Sequence, residues 1–252
     1  MSGIAWTVHN GGELARLVAR VLLGHFNHVE KILKKLNPSY KAVDGQAARE
    51  AKARLIVIGA DPWHRDGLLF QSISWIAAHQ VSENKSSIFS LPHLIAAHKG
   101  FDGVEVELTA QKDLQCVVVF EDKATENPRK TIREDVLPEI KALHNGERQT
   151  ELMQEVTALL QRANVADPDA VLEAVVWKQV RKFRVSITGG EGQDQQVGFD
   201  KLFKGFEEVT PGMDETGRRA EVFCHSEIRK WMAAFALAVS TAIDMTEARG
   251  NV

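Results

Sequence analysis

Two strands of a β-sheet are predicted by the sequence GFDGVEVELTAQKDLQCVVVFEDK, which spans residues 100–123. The first strand starts at Asp102, where an Asp-Gly pair leads into alternating valine and glutamate. The second strand follows a polar turn at residues 111–113 and is wholly apolar from residue 117 to residue 120. A short apolar run at residues 93–97 predicts a third strand, so that the three form a meander.

The second strand ends in the charged tripeptide Glu121-Asp122-Lys123. Because side chains alternate along a strand, Glu121 and Lys123 project from one face and Asp122 projects from the other. If the strands pair, Asp102 comes close to Glu121, and two carboxylates then share the rim of the sheet with one ammonium group. A surface hairpin with solvated charges is the competing interpretation, since such side chains are rarely buried.

This grouping of charges has a definite chemical use. Mg²⁺ and similar hard cations bind oxygen ligands, often one or two carboxylates together with waters and a phosphate. The metal polarises a phosphoryl oxygen and lowers the pKa of a bound water. A neighbouring lysine can orient that water, help to deprotonate it, or offset charge in the transition state. Asp102, Glu121 and Lys123 therefore predict a phosphodiesterase site.

The spacing of these residues resembles a known family. Asp102 followed nineteen positions later by Glu121-x-Lys123 is similar to the motif of the PD-(D/E)XK nuclease superfamily, which has the restriction-endonuclease-like fold. The resemblance covers mainly residues 93–145. Two positions depart from the family pattern: Phe101 stands where proline often precedes the aspartate, and Gln71 stands where a preceding helix often carries an acidic residue.

The resemblance implies a fold, an activity and a cofactor. The fold is an α/β domain with a small mixed sheet flanked by helices. Asp102 and Glu121 would bind Mg²⁺ or Mn²⁺, and Lys123 would assist the attacking water. The implied activity is that of an endonuclease, with DNA favoured over RNA as the substrate. Family members of this size often resemble effector nucleases of prokaryotic antiviral defence, which implies a partner protein for recognition or restraint.

Two groups of basic residues are candidate contacts to a nucleic acid backbone. The first group, Arg129, Lys130 and Arg133, lies near the start of a helix predicted from the capping-box pattern Thr131-x-x-Glu134. The second group is Lys178, Arg181, Lys182 and Arg184, on a strand predicted at residues 180–187. The competing interpretations are a solvated helix face for the first group and, for the second, an exposed strand that uses charge to block edge pairing.

The rest of the chain is predicted to be largely helical. Apolar residues at helical spacing indicate a long helix within residues 14–36, a helix at residues 150–162 and a terminal helix after residue 226. Residues 61–67 read as a turn from which a histidine and an arginine could approach a phosphate, and residues 221–225 read as an edge strand. We expect one domain over residues 1–252, with a helical part at 1–80, the catalytic sheet at 93–187, and a strand and helix at 188–252.

Composition limits the function classes. The chain has 252 residues, of which 44% are hydrophobic and 26% are charged, with a formal net charge of −3, so any nucleic acid surface must be local. The two cysteines, Cys116 and Cys224, form no metal-binding or disulfide pattern, which predicts buried thiols in a reducing cytoplasm. No apolar run approaches the roughly 18 residues of a membrane span, and no signal-peptide pattern is present, so no membrane association is expected.

A non-enzymatic alternative also fits these patterns. In that alternative the helical regions bind a partner protein, and the D…ExK residues are the remains of a degenerate nuclease fold. It predicts no metal binding and no effect of Lys123→Ala on cleavage. A nucleotide-dependent enzyme is disfavoured, because the glycine-rich residues 188–198 lack the Gly-Lys-Ser/Thr signature of a phosphate-binding loop.

Overall fold

A six-stranded mixed sheet lies at the centre of the fold in the computed structural model, which describes residues 2–36, 45–56, 61–81, 86–92, 100–163, 173 and 180–250. The strands are β1 (Ser2–Trp6), β2 (Ile88–Phe89), β3 (Gly103–Leu108), β4 (Leu114–Lys123), β5 (Arg181–Gly189) and β6 (Arg218–Cys224). Their spatial order is β1-β6-β5-β4-β3-β2. The first four strands in that order pair in parallel, whereas β3 pairs antiparallel with both β4 and β2.

Helices cover both faces of this sheet. The described residues form α1 (Gly11–Leu36), α2 (Gln46–Ala53), α3 (Trp63–Val81), α4 (Pro128–Thr131), a π-helical turn (Ile132–Val136), α5 (Leu137–His144), α6 (Gln149–Ala163), α7 (Gln196–Leu202), α8 (Phe206–Val209), a 3-10 turn (Glu215–Gly217) and α9 (Ile228–Gly250). None of the helices in these ranges has the length and apolar character that a bilayer crossing requires.

The two faces of the sheet bury different sets of helices. One core lies between the sheet and helices α5 to α8, with Val119 of β4 and Val185 of β5 among its members. On the opposite face, α1, α2, α3 and α9 pack together against Phe223 of β6, and a smaller cluster joins α3 to Val118 and Phe120 of β4. Coverage of both faces is typical of parallel strands, which explains why β4 is apolar on both sides from residue 117 to residue 120.

Much of the predicted secondary structure is confirmed. The two strands at the centre of the prediction are β3 and β4, and the strand at residues 180–187 is β5. The long helices predicted near the two ends and at residues 150–162 are α1, α9 and α6. The meander strand at residues 93–97 lies outside the described residues. Among the described residues, the strand that pairs with β3 on the side away from β4 is β2, Ile88–Phe89.

Two predictions about strands and turns were wrong. The strand at residues 221–225 is not at the edge, because β1, at the start of a region predicted to be helical, pairs with β6 in parallel. Residues 61–67 are mostly the first turns of α3, not a loop. The carboxylate of Asp61 accepts a hydrogen bond from the Trp63 backbone N–H at 2.9 Å, which satisfies a free donor at the helix start.

The helix predicted from Thr131 begins earlier. It starts at Pro128, after Asn127, because proline is favoured at the first helical position, where its missing N–H costs nothing. Thr131 therefore lies inside the helical segment, and its hydroxyl bonds to the hydroxyl of Thr125 at 3.0 Å and does not cap the helix. The segment continues through the π-helical turn into α5, where Pro138 is one of the first residues.

Candidate active site

The β3–β4 pair brings Asp102 beside the carboxyl end of β4. Gly103 is paired with Phe120, so Asp102, one residue before β3, lies at the level of Glu121. A Cβ atom on Gly103 would come within 2.9 Å of the Phe120 ring. Glycine is thus required for the two strands to approach this closely next to the candidate aspartate.

The carboxylates of Asp102 and Glu121 meet at one atom, the Nζ of Lys123, as the strand register predicts. The Lys123 Nζ atom lies 3.4 Å from Asp102 Oδ2 and also contacts Glu121 Oε1 as an ion pair. Glu121 and Lys123 share the face of β4 that looks toward α5, and Asp122 lies on the opposite face. The side chain of Lys123 keeps about a third of its surface exposed, so the cluster is open to solvent on one side.

Both oxygens of Asp102 are held by protein groups. The backbone N–H of Asp122 donates to Asp102 Oδ2 at 2.8 Å. The side-chain amide of Gln71, on α3, donates to Asp102 Oδ1. The residue that stands in place of the family's acidic side chain therefore contacts the candidate site, where it orients a carboxylate and supplies no charge.

Glu121 is the most perturbed acid of the cluster. Burial and the nearby carboxylate of Asp102 raise its pKa to about 8, against the opposing effect of Lys123. Glu121 Oε1 is buried, and the group that contacts it is the Lys123 ammonium, as an ion pair. An oxygen in this state favours a bound proton or a cation.

Lys123 remains an ammonium ion in this environment. Burial opposes its charge, but Glu121 and Asp102 outweigh that effect and raise the pKa of Lys123 above its ordinary range. At neutral pH the side chain is therefore a proton donor and a positive charge. Of the three roles that the sequence suggests for this lysine, orienting a water and offsetting charge fit an ammonium, whereas removing a proton does not.

Two further residues, which the sequence did not single out, support the site. Glu139 of α5 lies near enough to raise the pKa values of both Glu121 and Lys123. Arg148 lies 2.5 Å from the Glu139 carboxylate, and its guanidinium stacks 4.4 Å above the ring of Phe101, the residue before Asp102. This contact joins α5 to the start of β3 and could not be read from local sequence.

A buried polar cluster lies directly behind the site. Arg184 of β5 donates to Glu221 of β6, with Nε 2.6 Å from the carboxylate oxygen, and lies 3.4 Å from Asp122. Ser74 of α3 donates to Asp122 at 2.7 Å and accepts from Arg184 at 2.8 Å. The guanidinium also lies 4.7 Å above the Phe120 ring. Burial raises the pKa of Asp122 to about 7, although Arg184 opposes that shift.

The predicted basic surface on β5 is wrong for two of its members. Arg184 is 2% exposed and Arg181 is 7% exposed, because helices cover both faces of the strand. Arg181 donates to the Leu143 carbonyl at 3.2 Å, and burial lowers its pKa. Lys182 is half-buried, and Lys178 lies outside the described residues. The parallel neighbours on both sides also exclude the alternative that this is an exposed edge strand.

The first basic group, Arg129, Lys130 and Arg133, is closer to the surface. Arg129 donates to the backbone carbonyls of Leu202 and Lys204 at 2.9 and 2.8 Å, which ties α4 to the end of α7. Lys130 and Arg133 are exposed and form ion pairs with Glu134. The prediction that these residues contact nucleic acid stays a prediction, and the hydrogen bonds of Arg129 show that it also has a structural role.

The carboxylates fit a hard cation in part. Among the described residues no group of three or more His, Cys, Asp and Glu side chains is arranged to hold a metal ion. Asp102 and Glu121 could supply two oxygen ligands, although the Lys123 ammonium already contacts both carboxylates. A magnesium ion with two protein carboxylates would take its other oxygens from waters and a phosphate.

Glu121→Gln is expected to change the pH dependence of stability in metal-free protein. The folded wild-type protein binds the Glu121 proton more tightly than the unfolded chain, so its free energy of unfolding falls between the ordinary pKa of 4.5 and about 8. The slope is at most about 1.4 kcal/mol per pH unit. Because glutamine does not titrate, the variant should gain stability relative to wild type across this window, as urea unfolding in EDTA would show.

The exposed Glu134 provides the matched control, since its hydrogen bond from Arg133 lowers the pKa of the carboxyl that Glu134→Gln removes, so this carboxyl does not titrate between pH 4.5 and about 8. We expect the control and wild-type curves to remain close to parallel over the same pH range. If the difference in the free energy of unfolding between Glu121→Gln and wild type stays constant with pH, Glu121 titrates normally in the folded protein.

Comparisons of the chain with protein-family models, with curated proteins and with solved structures each find no match.

Proposed function

We propose that this protein is a metal-dependent nuclease that hydrolyses phosphodiester bonds, with a restriction-endonuclease-like core and with DNA as the favoured substrate. The resemblance extends the proposal to an effector role in prokaryotic antiviral defence, with a partner protein that recognises the invader or restrains the nuclease. The observation that carries the proposal is the convergence of Asp102 and Glu121 on the Lys123 ammonium at a solvent-facing rim of the sheet.

The proposed roles follow from the charge state of each group. Asp102 and Glu121 would hold Mg²⁺ or Mn²⁺, which supplies a polarised phosphoryl oxygen and a more acidic water. Asp102 is oriented for this by Gln71 and by the Asp122 backbone N–H. Lys123, as an ammonium, would donate to the attacking water or to a phosphate oxygen and offset the negative charge that develops there.

A cleavage assay with and without metal tests this function. Wild-type protein should cut plasmid DNA, single-stranded DNA or RNA with Mg²⁺ or Mn²⁺ and not in EDTA. Asp102→Asn should lower the rate at least about 100-fold, the scale of losing one charge-stabilising contact in a transition state. The matched control is Asp113→Asn, which changes an exposed aspartate on the turn of the same hairpin.

Thermal unfolding separates a silent nuclease from a protein with no metal site. The divalent cation should raise the unfolding temperature of wild type and of Asp113→Asn, but not that of Asp102→Asn. No cutting together with equal unfolding temperatures, with and without metal, would contradict the proposal and favour the non-catalytic interaction protein.

A further inference from the structure

An open cleft of about 450 Å³ lies beside the candidate site. Lys123 is part of its lining, so whatever occupies the cleft lies next to the proposed reacting groups. Trp63, at the start of α3, and Arg229 of α9 also line the cleft. Arg229 is fixed there by hydrogen bonds to the buried Asp66, at 2.6 Å, and to the Ala124 carbonyl, at 3.3 Å.

Trp63 is unusual on this surface. Its side chain is 65% exposed, and it is the only aromatic among the large hydrophobic residues that are exposed in the described part of the chain. Its backbone is anchored by the hydrogen bond to Asp61, so the ring stands on the first turn of a long helix. The exposed indole lines the cleft and stacks on no other ring among the described residues, so one of its faces is open to a planar ligand.

The remaining lining is polar and carries both charges. Lys123 and Lys130 contribute ammonium groups, which suit a phosphate. The carboxylates of Glu126, Glu134 and Asp135 and the amide of Asn127 contribute oxygen acceptors, which suit the amino groups on base edges. One ligand uses all three kinds of surface, because a nucleotide joins a flat aromatic base with polar edges to a phosphate.

We propose that this cleft binds one unpaired nucleotide of the nucleic acid substrate, with its base stacked on Trp63 and its phosphate toward Lys123. This inference rests on the proposed function and narrows it to a substrate that is single-stranded, or locally opened, at the cut. The volume of the cleft is in the range of pockets that hold one small ligand. A B-form duplex is too large to enter it, because its major groove alone is roughly 12 Å wide. A base inside a duplex would first have to leave the stack.

Binding in EDTA tests the inference without requiring cleavage. Fluorescence anisotropy would measure a short labelled single-stranded DNA, the RNA of the same sequence, the duplex, and a strand whose sugars carry no bases. Trp63→Ala should weaken binding of the single strands about 5- to 150-fold, the loss of one base–aromatic stack. Trp63→Phe should retain most of the affinity, and the strand without bases should bind wild type and Trp63→Ala equally.

Leu237→Ala is the matched control, since Leu237 is 72% exposed on α9 and does not line the cleft. The inference is overturned if Trp63→Ala binds single strands as tightly as wild type, or if wild type binds no single strand. If Trp63→Ala cuts with metal as fast as wild type, the proposed nuclease stands and the stacking site is contradicted. If single-strand binding depends on Trp63 but the protein neither cuts nor gains thermal stability from the divalent cation, the stacking site stands and the proposed nuclease is contradicted.

Discussion

Arg184→Met is expected to lower the free energy of unfolding by about 3–5 kcal/mol, the range for leaving a buried charge without its partner. The guanidinium is 2% exposed and is the cation between Asp122 and Glu221, both of which are buried. Methionine preserves much of the side-chain volume, so the loss reports charge more than packing. Urea unfolding would measure it, with Lys182→Met as the control on the neighbouring, half-buried position.

If the lost stability comes from unpaired charge, a triple variant should recover it in the same unfolding experiment. Arg184→Met combined with Asp122→Asn and Glu221→Gln removes the whole cluster of charges, and most of the lost stability should return. A loss below about 1 kcal/mol for the single variant, or no recovery in the triple variant, would show that the ion pairs contribute little to stability.

The buried cluster and the candidate site are two sides of one strand end. Asp122 anchors its carboxylate behind the sheet, on Ser74 and Arg184, while its backbone N–H donates to Asp102 in front. The position of Asp102 therefore depends on the same residue whose side chain the cluster holds. We infer that the cluster fixes the end of β4 against which the site is built.

The front of the site could be predicted because it depends on local rules. The alternation of side chains places Glu121 and Lys123 together, and the pairing of two strands joined by a short turn brings Asp102 to them. Both relationships span few residues. Gln71 and Glu139 belong to two helices that are not part of the hairpin. The family resemblance alone singled out Gln71, and nothing in the sequence around Glu139 shows that it faces the site.

The back of the sheet could not be predicted for the opposite reason. On β5, Arg184 alternates with apolar residues as a solvent-facing charge does, so the local pattern predicts exposure. Arg184 is buried by α3 and by Glu221 of β6. Glu221 is 37 residues away from Arg184 in the chain. A charge that is neutralised by distant residues has the same sequence pattern as a solvated one.

β1 was missed on similar grounds. Residues 2–6 are a short edge strand with a glycine, too brief for an alternation pattern to emerge. Its pairing partner, β6, lies more than 200 residues later in the chain. Without β1, the sequence from residue 221 reads as an edge strand, and this second error follows from the first.

Lys123→Met is expected to lower the turnover number about 10²–10³-fold, the cost of removing one charge that stabilises the transition state. Metal binding should persist, because Asp102 and Glu121 remain, and it should tighten, because the ammonium that contacts both carboxylates no longer opposes a second cation. Cleavage kinetics at saturating Mn²⁺ and calorimetric titration of the metal would measure the two effects separately. Lys141→Met, on the exposed side of α5, is the matched control.

The direction of these two changes distinguishes the roles that Lys123 could have. If Lys123 has only a structural role, Lys123→Met should lower the turnover number and the metal affinity together, because the two carboxylates could then move apart. A lysine that acts as a general base would give wild-type protein a rate that rises with pH up to the lysine pKa, which its carboxylate neighbours raise above the ordinary range. An ammonium that stabilises charge predicts lost turnover, retained or tighter metal binding, and no such rise in the alkaline range. Weaker metal binding in Lys123→Met would contradict the assignment.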